Sequence, residues 1–158
     1  MQAEGGYTMD RDVLKQAAIA AIDARRGEII EIGETILHNP ETGFREFETE
    51  QLVAEKLISL GLEPQTGLAI TGVKAKLNNE NAGPTLALMG ELDSLKISDH
   101  PFADPVTGAA HACGHNAQIT GMLGAAMGII DGQIAEHLTG NIAFIAVPAE
   151  ELIEVGYR

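Results

Sequence analysis

The sequence predicts an α/β protein in which helices pack against a mostly buried sheet. Three observations support this fold class. Apolar residues recur at helical spacing between Asp10 and Leu37, and short apolar runs typical of strands occupy residues 70–77, 85–89 and 141–147. A glycine-rich segment with helical character lies before the last of these runs. This order of helices and strands is typical of layered α/β domains.

Two helices are predicted in the first 60 residues. Asp10 suits the N-cap of one long helix, which must end before Pro40 because proline disfavours helical geometry in the preceding residue. A second helix is expected from about Phe47 to Leu60. Gly61 suits the left-handed position that follows a helix end.

The later segments differ in their apolar pattern. Residues 70–77 alternate apolar and lysine side chains, which predicts a half-exposed strand, whereas the short apolar run 85–89 predicts a buried one. Residues 90–110 are expected to form a long loop, and such loops in compact domains are usually functional. A helix is predicted over residues 116–130 and a last strand over 141–147.

Composition excludes several classes of protein. The 158 residues are 45% hydrophobic and 21% charged, which suits one domain with a sizeable core. A formal net charge of −13 leaves no basic surface for nucleic acid, and no apolar run approaches the ~18 residues of a membrane span. A single cysteine suits a reducing compartment. We therefore expect a cytoplasmic protein with no nucleic-acid or membrane partner, in which residues 1–8 form a loose leader and 9–158 the domain.

The most informative segment is residues 111–116, which reads His-Ala-Cys-Gly-His-Asn. Cys113 and His115 flank a single glycine, so that a thiolate and an imidazole can reach one ion. These donors suit zinc or a related first-row metal better than magnesium.

Three carboxylates are expected near the same place. Chemistry in open α/β sheets lies at the carboxyl ends of strands, and Asp93 and the pair Glu150-Glu151 each follow a predicted strand. One glutamate of the pair can coordinate a metal while the other accepts a proton from water. Asp93 can orient a ligand.

Each of these residues also has a structural interpretation. A lone cysteine among small residues is often core packing, adjacent glutamates are usually solvated, and Asp93 can simply cap a turn. His38 suits a cap at the end of the first helix, whereas His100 and His137 carry no supporting pattern and are expected at the surface. A redox role for Cys113 is disfavoured because it has no resolving cysteine. The order of the elements along the chain favours the metal site.

Four motifs occur in order along almost the whole chain. They are His38-Asn-Pro-Glu41-Thr-Gly43-Phe44 with Glu46 and Thr49, Gly90-Glu-Leu-Asp93-Ser-Leu95, His111-Ala-Cys113-Gly-His115-Asn116, and Val147-Pro-Ala-Glu150-Glu151. Together they resemble the aminoacylase and carboxypeptidase-G type of metallopeptidase family. Within it, the sequence is most similar to the amidohydrolase branch of hippurate, plant-hormone-conjugate and aminobenzoyl-glutamate hydrolases.

The resemblance implies a layered α/β/α, zinc-exopeptidase-like catalytic domain with a mixed sheet. It also implies a metal-dependent hydrolase that cleaves the amide bond of an N-acyl or aryl amino acid or a small dipeptide-like substrate. By this resemblance Cys113, His115 and Glu151 would be metal ligands and Glu150 the general base. Asp93 would be a carboxylate that orients a metal ligand without binding the metal itself. The metal would be zinc, although manganese, nickel and cobalt also tolerate such ligands.

The sequence departs from the family pattern at three points. Asn116-Ala-Gln118 stands where many members have Asp, Gly and a further His, and it is similar to the aminobenzoyl-glutamate and dipeptidase-like branch. Lys96 stands where proline is usual. Family members are also longer, with two further ligand histidines and a lid-like dimerisation domain that this sequence does not contain.

These departures predict a truncated catalytic domain that is nearly inactive by itself. Uncovered sheet edges favour association with another copy of the chain. The alternative is a non-catalytic, self-associating protein with a vestigial metal half-site.

Overall fold

The computed structural model of the protein describes residues 10–78 and 80–152. The expected leader of residues 1–8 lies outside the described residues. The elements are α1 (Arg11–Ala24), α2 (Arg26–His38), α3 (Phe47–Ser59), β1 (Gln65–Leu68), β2 (Gly72–Leu77), β3 (Thr85–Glu91), β4 (Leu95–Lys96), β5 (Ala109–Ala110), α4 (His115–Asp131) and β6 (Asn141–Val147), with a short 3₁₀ turn, Ala135–His137, before β6.

The main sheet has four strands in the order β1-β2-β6-β3. β1 and β2 pair antiparallel, as do β2 and β6, whereas β3 and β6 run parallel. The α/β class and the mixed sheet are therefore confirmed. β4 and β5 form a separate two-stranded ribbon.

The core lies between one face of the sheet and the helices. Alternate side chains of β2 and β6 point to this face, where they meet apolar residues of α2, α3 and α4. Phe144 in β6 and Leu123 in α4 are fully buried. The opposite face of the sheet carries Lys74, Lys76 and Ile145. Within those residues, no helix has both the length and the apolar character needed to cross a membrane.

The prediction of one helix from Asp10 to Leu37 was wrong, because the helix is interrupted at Arg25. The Asp10 N-cap is confirmed, since its Oδ1 accepts a hydrogen bond from the Asp12 backbone. Residues 23–28 contain no large apolar side chain and include Gly27, so packing gives little support to a continuous helix there.

Two predictions about the strands were also wrong. Residues 85–89 are not buried: Leu86 is 62% exposed and Met89 59% exposed, because β3 is an edge strand with one covered face. The expected loop of residues 90–110 contains the β4–β5 ribbon. Strand β1 was not predicted, and its four exposed residues carry no apolar signal.

An ion-pair network ties the helices together. Glu28 accepts hydrogen bonds from Arg25 at 2.9 Å and from Lys56 of α3 at 2.7 Å, and Arg25 also contacts Asp131 of α4 at 2.7 Å. The hydrogen bond from Lys56 and that from Arg25 lower the pKa of Glu28. Helices α2, α3 and α4 therefore share one charged cluster with Arg25, the residue at the end of α1.

Replacing Glu28 with glutamine is expected to lower the free energy of unfolding by about 0.5–1 kcal/mol at pH 7. Since the folded pKa of Glu28 lies below its unfolded value, its stabilisation is present above about pH 4.5 and is lost as the pH falls through the folded value. Urea unfolding at pH 7 and at pH 3 measures the free energy of unfolding where this stabilisation is present and where protonation of Glu28 has reduced it. Glu34→Gln, on the exposed face of α2, is the control and should change little at either pH.

Candidate metal centre

The carboxyl ends of β3 and β6 meet at one edge of the sheet. Glu91 pairs with Val147 at the end of the two parallel strands, and the Leu92 backbone N–H donates to the Val147 carbonyl at 2.9 Å. The chain segments that follow both strands therefore leave the sheet side by side. This places Asp93 next to the Glu150-Glu151 pair.

A buried carboxyl group fixes the turn before the glutamate pair. Glu46 is fully buried, and its two oxygens accept hydrogen bonds from the Ala149 backbone N–H at 2.8 Å and the Thr71 hydroxyl at 2.7 Å. Ala149 has a φ of 56°, a left-handed conformation that is uncommon for residues other than glycine. The Glu46 contact supports this conformation and so helps position the two residues that follow.

His115 begins α4 directly after Gly114, whose φ of 97° is the kind of conformation that glycine permits. The imidazole is buried, and its Nδ1 lies 2.8 Å from the Asp93 carbonyl oxygen and 3.3 Å from Asp93 Oδ1. Two oxygens at Nδ1 favour a proton on that nitrogen. In the neutral ring, Nε2 then presents its lone pair.

Three carboxylates surround Nε2 of His115. The nearest oxygen of Glu91 lies at 2.8 Å, that of Glu151 at 3.7 Å and that of Glu150 at 3.8 Å. Asp93, behind the imidazole, accepts a hydrogen bond from the Glu151 backbone at 2.9 Å. One buried aspartate therefore contacts both His115 and the chain at Glu151.

Two overlapping sets of potential metal ligands result. The ligand atoms of Cys113, His115 and Glu151 all lie within 4.8 Å of one another, and so do those of Glu91, His115 and Glu150. The structure thus brings together all five predicted site residues. It adds Glu91, which sequence reasoning missed.

Electrostatics in this cluster disfavour further negative charge. The pKa of the Cys113 thiol is raised to about 11, first by its hydrogen bond with Glu151 and then by burial and the neighbouring carboxylates. Burial also raises the pKa of Asp93, against the opposing effect of the hydrogen bond from Glu151 and the nearby imidazole. A cation among these anionic ligands would offset the repulsion between them.

The residues present therefore fit a divalent metal. Thiolate, imidazole and carboxylate are the donor types of zinc sites. Within the part of the chain that the structure describes, neither Glu91 nor Glu151 forms an ion pair with a lysine or arginine. Their charges thus have only the one imidazole to offset them.

His111 is a further buried residue of the same loop. Both ring nitrogens lack a hydrogen-bond partner within residues 10–78 and 80–152. Burial, and then the charge of His115, lower the pKa of His111 to about 4. His111 belongs to neither ligand set, and the sequence analysis gave it no role.

The remaining histidines lie away from the cluster. His38 is the last residue of α2, but the residue at the C-cap position is Asn39. The His38 ring lies edge-on to Phe102, with the ring centroids 5.3 Å apart. His100 is half-buried, and its Nδ1 accepts a hydrogen bond from the Phe102 backbone. His137 is exposed in the 3₁₀ turn.

Comparison with known proteins gives consistent matches. Residues 87–158 match the family model described as peptidase family M20/M25/M40. Thermostable carboxypeptidase 2 of Saccharolobus solfataricus is 37% identical over 127 residues, which are 78% of this chain and 32% of that protein. N-acetyl-L-cysteine deacetylase of Bacillus subtilis is 31% identical over 157 residues, which are 94% of this chain and 37% of that protein.

A solved structure shows the same fold. The Bacillus subtilis YXEP protein, described as a dinuclear metal-binding peptidase of the M20 family, matches with a TM-score of 0.71 and 30% identity. The match covers 85% of this chain and 40% of that one. The chain spans about a third of the length of the curated relatives that it matches.

The fold and these matches define the class as an α/β protein related to metal-binding peptidases. More specifically, residues 87–158 match the model of the peptidase M20 family, and the chain is similar to carboxypeptidases and amidohydrolases.

Proposed function

We propose that this chain provides part of the centre of a metal-dependent amidohydrolase. Its substrate would be an N-acyl or aryl amino acid, or a small dipeptide-like molecule. The observation that carries the proposal is the convergence of a thiol, an imidazole and three carboxylates at the carboxyl ends of two parallel strands. The names of the relatives, among them a carboxypeptidase and a deacetylase, support amide hydrolysis.

We assign the roles as follows. Cys113, His115 and Glu151 hold the ion, and Glu150 accepts a proton from water as general base. A bound divalent cation supplies Lewis acidity at this point. Asp93 holds His115 through Nδ1, which keeps the Nε2 lone pair directed at the ligand cluster.

Glu91 extends the proposed ligand set. Its oxygen lies nearer to His115 Nε2 than any oxygen of Glu150 or Glu151 does. With Glu150 it forms the second group of ligand atoms around the same imidazole. We therefore propose that Glu91 binds a cation together with His115.

Zinc is the proposed metal, and manganese, nickel or cobalt are the alternatives. We further propose a small-molecule substrate, a cytoplasmic location and association with another copy of the chain. The first ligand set offers three protein ligands to one ion, so we expect the 158-residue chain to bind zinc less tightly than a complete four-ligand site and to hydrolyse amides slowly by itself.

The second candidate, a non-catalytic protein that associates with itself, is favoured by the exposed apolar side chains of edge strand β3.

Zinc titration against a chromophoric chelator tests the proposal. We expect the purified 158-residue chain to bind zinc, and Cys113→Ser and Glu151→Gln each to lower the affinity about tenfold or more. Glu63→Gln removes an exposed carboxylate far from the cluster and should leave the affinity unchanged. Equal zinc affinity in all four proteins would contradict the ligand assignment.

Hydrolysis of N-benzoylglycine with added zinc or manganese provides the second measurement. Slow turnover that disappears with a chelator and in Glu150→Gln supports the assigned roles. Turnover that survives both treatments would rule them out.

A further inference from the structure

The segment Glu41–Glu46, which lies between α2 and α3, contacts both parts of the chain that leave the sheet at the metal centre. Its contact with the part after β3 is made through Ser94, which is buried. The Glu41 carbonyl accepts hydrogen bonds from the Ser94 backbone N–H and from the Ser94 hydroxyl, each at 2.8 Å. Since Ser94 directly follows Asp93, this end of the segment lies one residue from the carboxylate behind the site imidazole.

The other end of the segment contacts the turn that follows β6. The proline after β6 has no backbone N–H for sheet pairing. Glu46 accepts a hydrogen bond from the N–H of Ala149 at 2.8 Å. Asp93 accepts one from the N–H of Glu151 at 2.9 Å, and both carboxylates are fully buried. Two side chains, rather than the sheet, therefore hold the backbone at the glutamate pair.

Between its two ends, the segment packs closely against the same turn. A Cβ atom at Gly43 would lie 3.0 Å from the Cβ atoms of Ala149 and Leu152, which is shorter than an ordinary contact between carbon atoms. Phe44 has a φ of 61° and Ala149 a φ of 56°, so each side of this contact holds a non-glycine residue in an uncommon conformation. Such conformations persist where the surrounding contacts enforce them.

Helix α3 and the start of β2 hold the segment in place. The Glu41 carboxylate accepts hydrogen bonds from the backbone N–H groups of Glu48 and Thr49, at 3.1 and 2.9 Å, and from the Thr49 hydroxyl at 2.8 Å. Thr71, the residue before β2, donates its hydroxyl to Glu46 at 2.7 Å. The segment is therefore a fixed support against which the turn after β6 can be placed.

We propose that the segment Glu41–Glu46 positions the ligands of the metal centre. Glu46 and Gly43 set where the backbone of the glutamate pair lies relative to the imidazole, and they act through the main chain without binding the ion. The inference rests on the proposed function, in which Glu151 is a ligand and Glu150 the general base. Metal–ligand distances are fixed within about 0.2 Å, so a shift of a few tenths of an ångström in this turn is enough to weaken the site.

Zinc titration against a chromophoric chelator tests the two positioning residues. Glu46→Leu removes the acceptor and Gly43→Ala displaces the turn, so each should lower the zinc affinity about tenfold. Glu46→Gln keeps an acceptor oxygen for the Ala149 N–H and should restore most of the affinity. Gly121→Ala adds a methyl group to α4 that meets no described atom outside its own helix within 4 Å, and it should leave the affinity unchanged.

A double-mutant cycle with Glu151→Gln separates positioning from a general loss of stability. If Glu46 acts through Glu151, Glu46→Leu should lower the zinc affinity by less than about twofold once residue 151 is glutamine. Gly43→Ala provides the same cycle without removing a buried hydrogen bond. Asn141→Ala is the stability control, because it removes a buried side chain at the far end of β6.

Two results of this cycle would overturn the inference. One is a tenfold loss of zinc affinity that persists for both Glu46→Leu and Gly43→Ala in the Glu151→Gln background. The other is an equal loss in folded Asn141→Ala, since destabilisation anywhere in the chain would then explain the effect.

Amide hydrogen exchange in the metal-free chain measures the positioning without an ion. Glu46→Leu and Gly43→Ala should each quicken exchange at Glu151 relative to amides at the far end of β6. Neither residue bonds this N–H, but Asp93 can accept it only while the turn keeps its path. Unchanged exchange at Glu151 in both variants would contradict the inference.

The two measurements also distinguish this inference from the proposed function. Quickened exchange at Glu151 in a chain that binds no zinc would support the positioning role while contradicting the metal centre. Zinc binding that neither Glu46→Leu nor Gly43→Ala weakens would do the reverse.

Discussion

Replacing His115 with alanine is expected to lower the zinc affinity of this chain by at least about 100-fold. His115 is the only residue that belongs to both sets of ligand atoms, so its loss leaves neither set with three ligands. Substituting a residue that hydrogen-bonds to a metal ligand lowers the metal affinity roughly 10- to 100-fold. Removing the ligand itself should lower the metal affinity further. Competition with a chromophoric chelator measures the change.

The control for this variant is His137→Ala. His137 is exposed, its Nε2 lies 3.9 Å from a carboxylate oxygen of Glu136, and it belongs to neither ligand set, so zinc affinity should not change. Circular dichroism of the metal-free proteins shows whether His115→Ala remains folded. A folded His115→Ala protein with unaltered zinc affinity would refute the central role of this imidazole.

The fold class was predictable because the strongest signals are local. The helical spacing of α3, its C-terminal Gly61, and the apolar run of β6 all appear in short windows of sequence. The exposure of β3 could not be predicted, because an apolar strand reads the same at the edge of a sheet as at its centre. Sheet order depends on pairings between distant segments.

The candidate site was predictable to a similar degree. Cys113 and His115 are two residues apart, and Glu151 follows a strand, so their types and spacing indicate a metal. Glu91 could have been predicted as a site residue, because side chains two residues apart along a strand point to the same face and Asp93 was already a candidate.

Glu46 is the residue whose structural role is hardest to predict from sequence. It lies 103 residues from its partner Ala149, and a glutamate in a polar, charged segment normally indicates a solvated surface. In the structure its side chain is fully buried and accepts hydrogen bonds from the Ala149 backbone N–H, next to the site, and from the Thr71 hydroxyl.

Replacing Glu46 with alanine is therefore expected to lower the free energy of unfolding by about 3–4 kcal/mol. The Ala149 N–H and the Thr71 hydroxyl would both lose their acceptor in the interior, and each unsatisfied donor costs roughly 1–3 kcal/mol. Urea unfolding measures the loss. Glu46→Gln keeps the shape and one acceptor oxygen and should lose about half as much, whereas Glu63→Ala, at an exposed glutamate, should stay within about 0.5 kcal/mol of the parent.

A loss below about 1 kcal/mol in Glu46→Ala would mean that the turn before Glu150 is held by other contacts. A larger loss, with weaker zinc binding in the folded fraction, would tie the stability of this turn to the geometry of the metal centre.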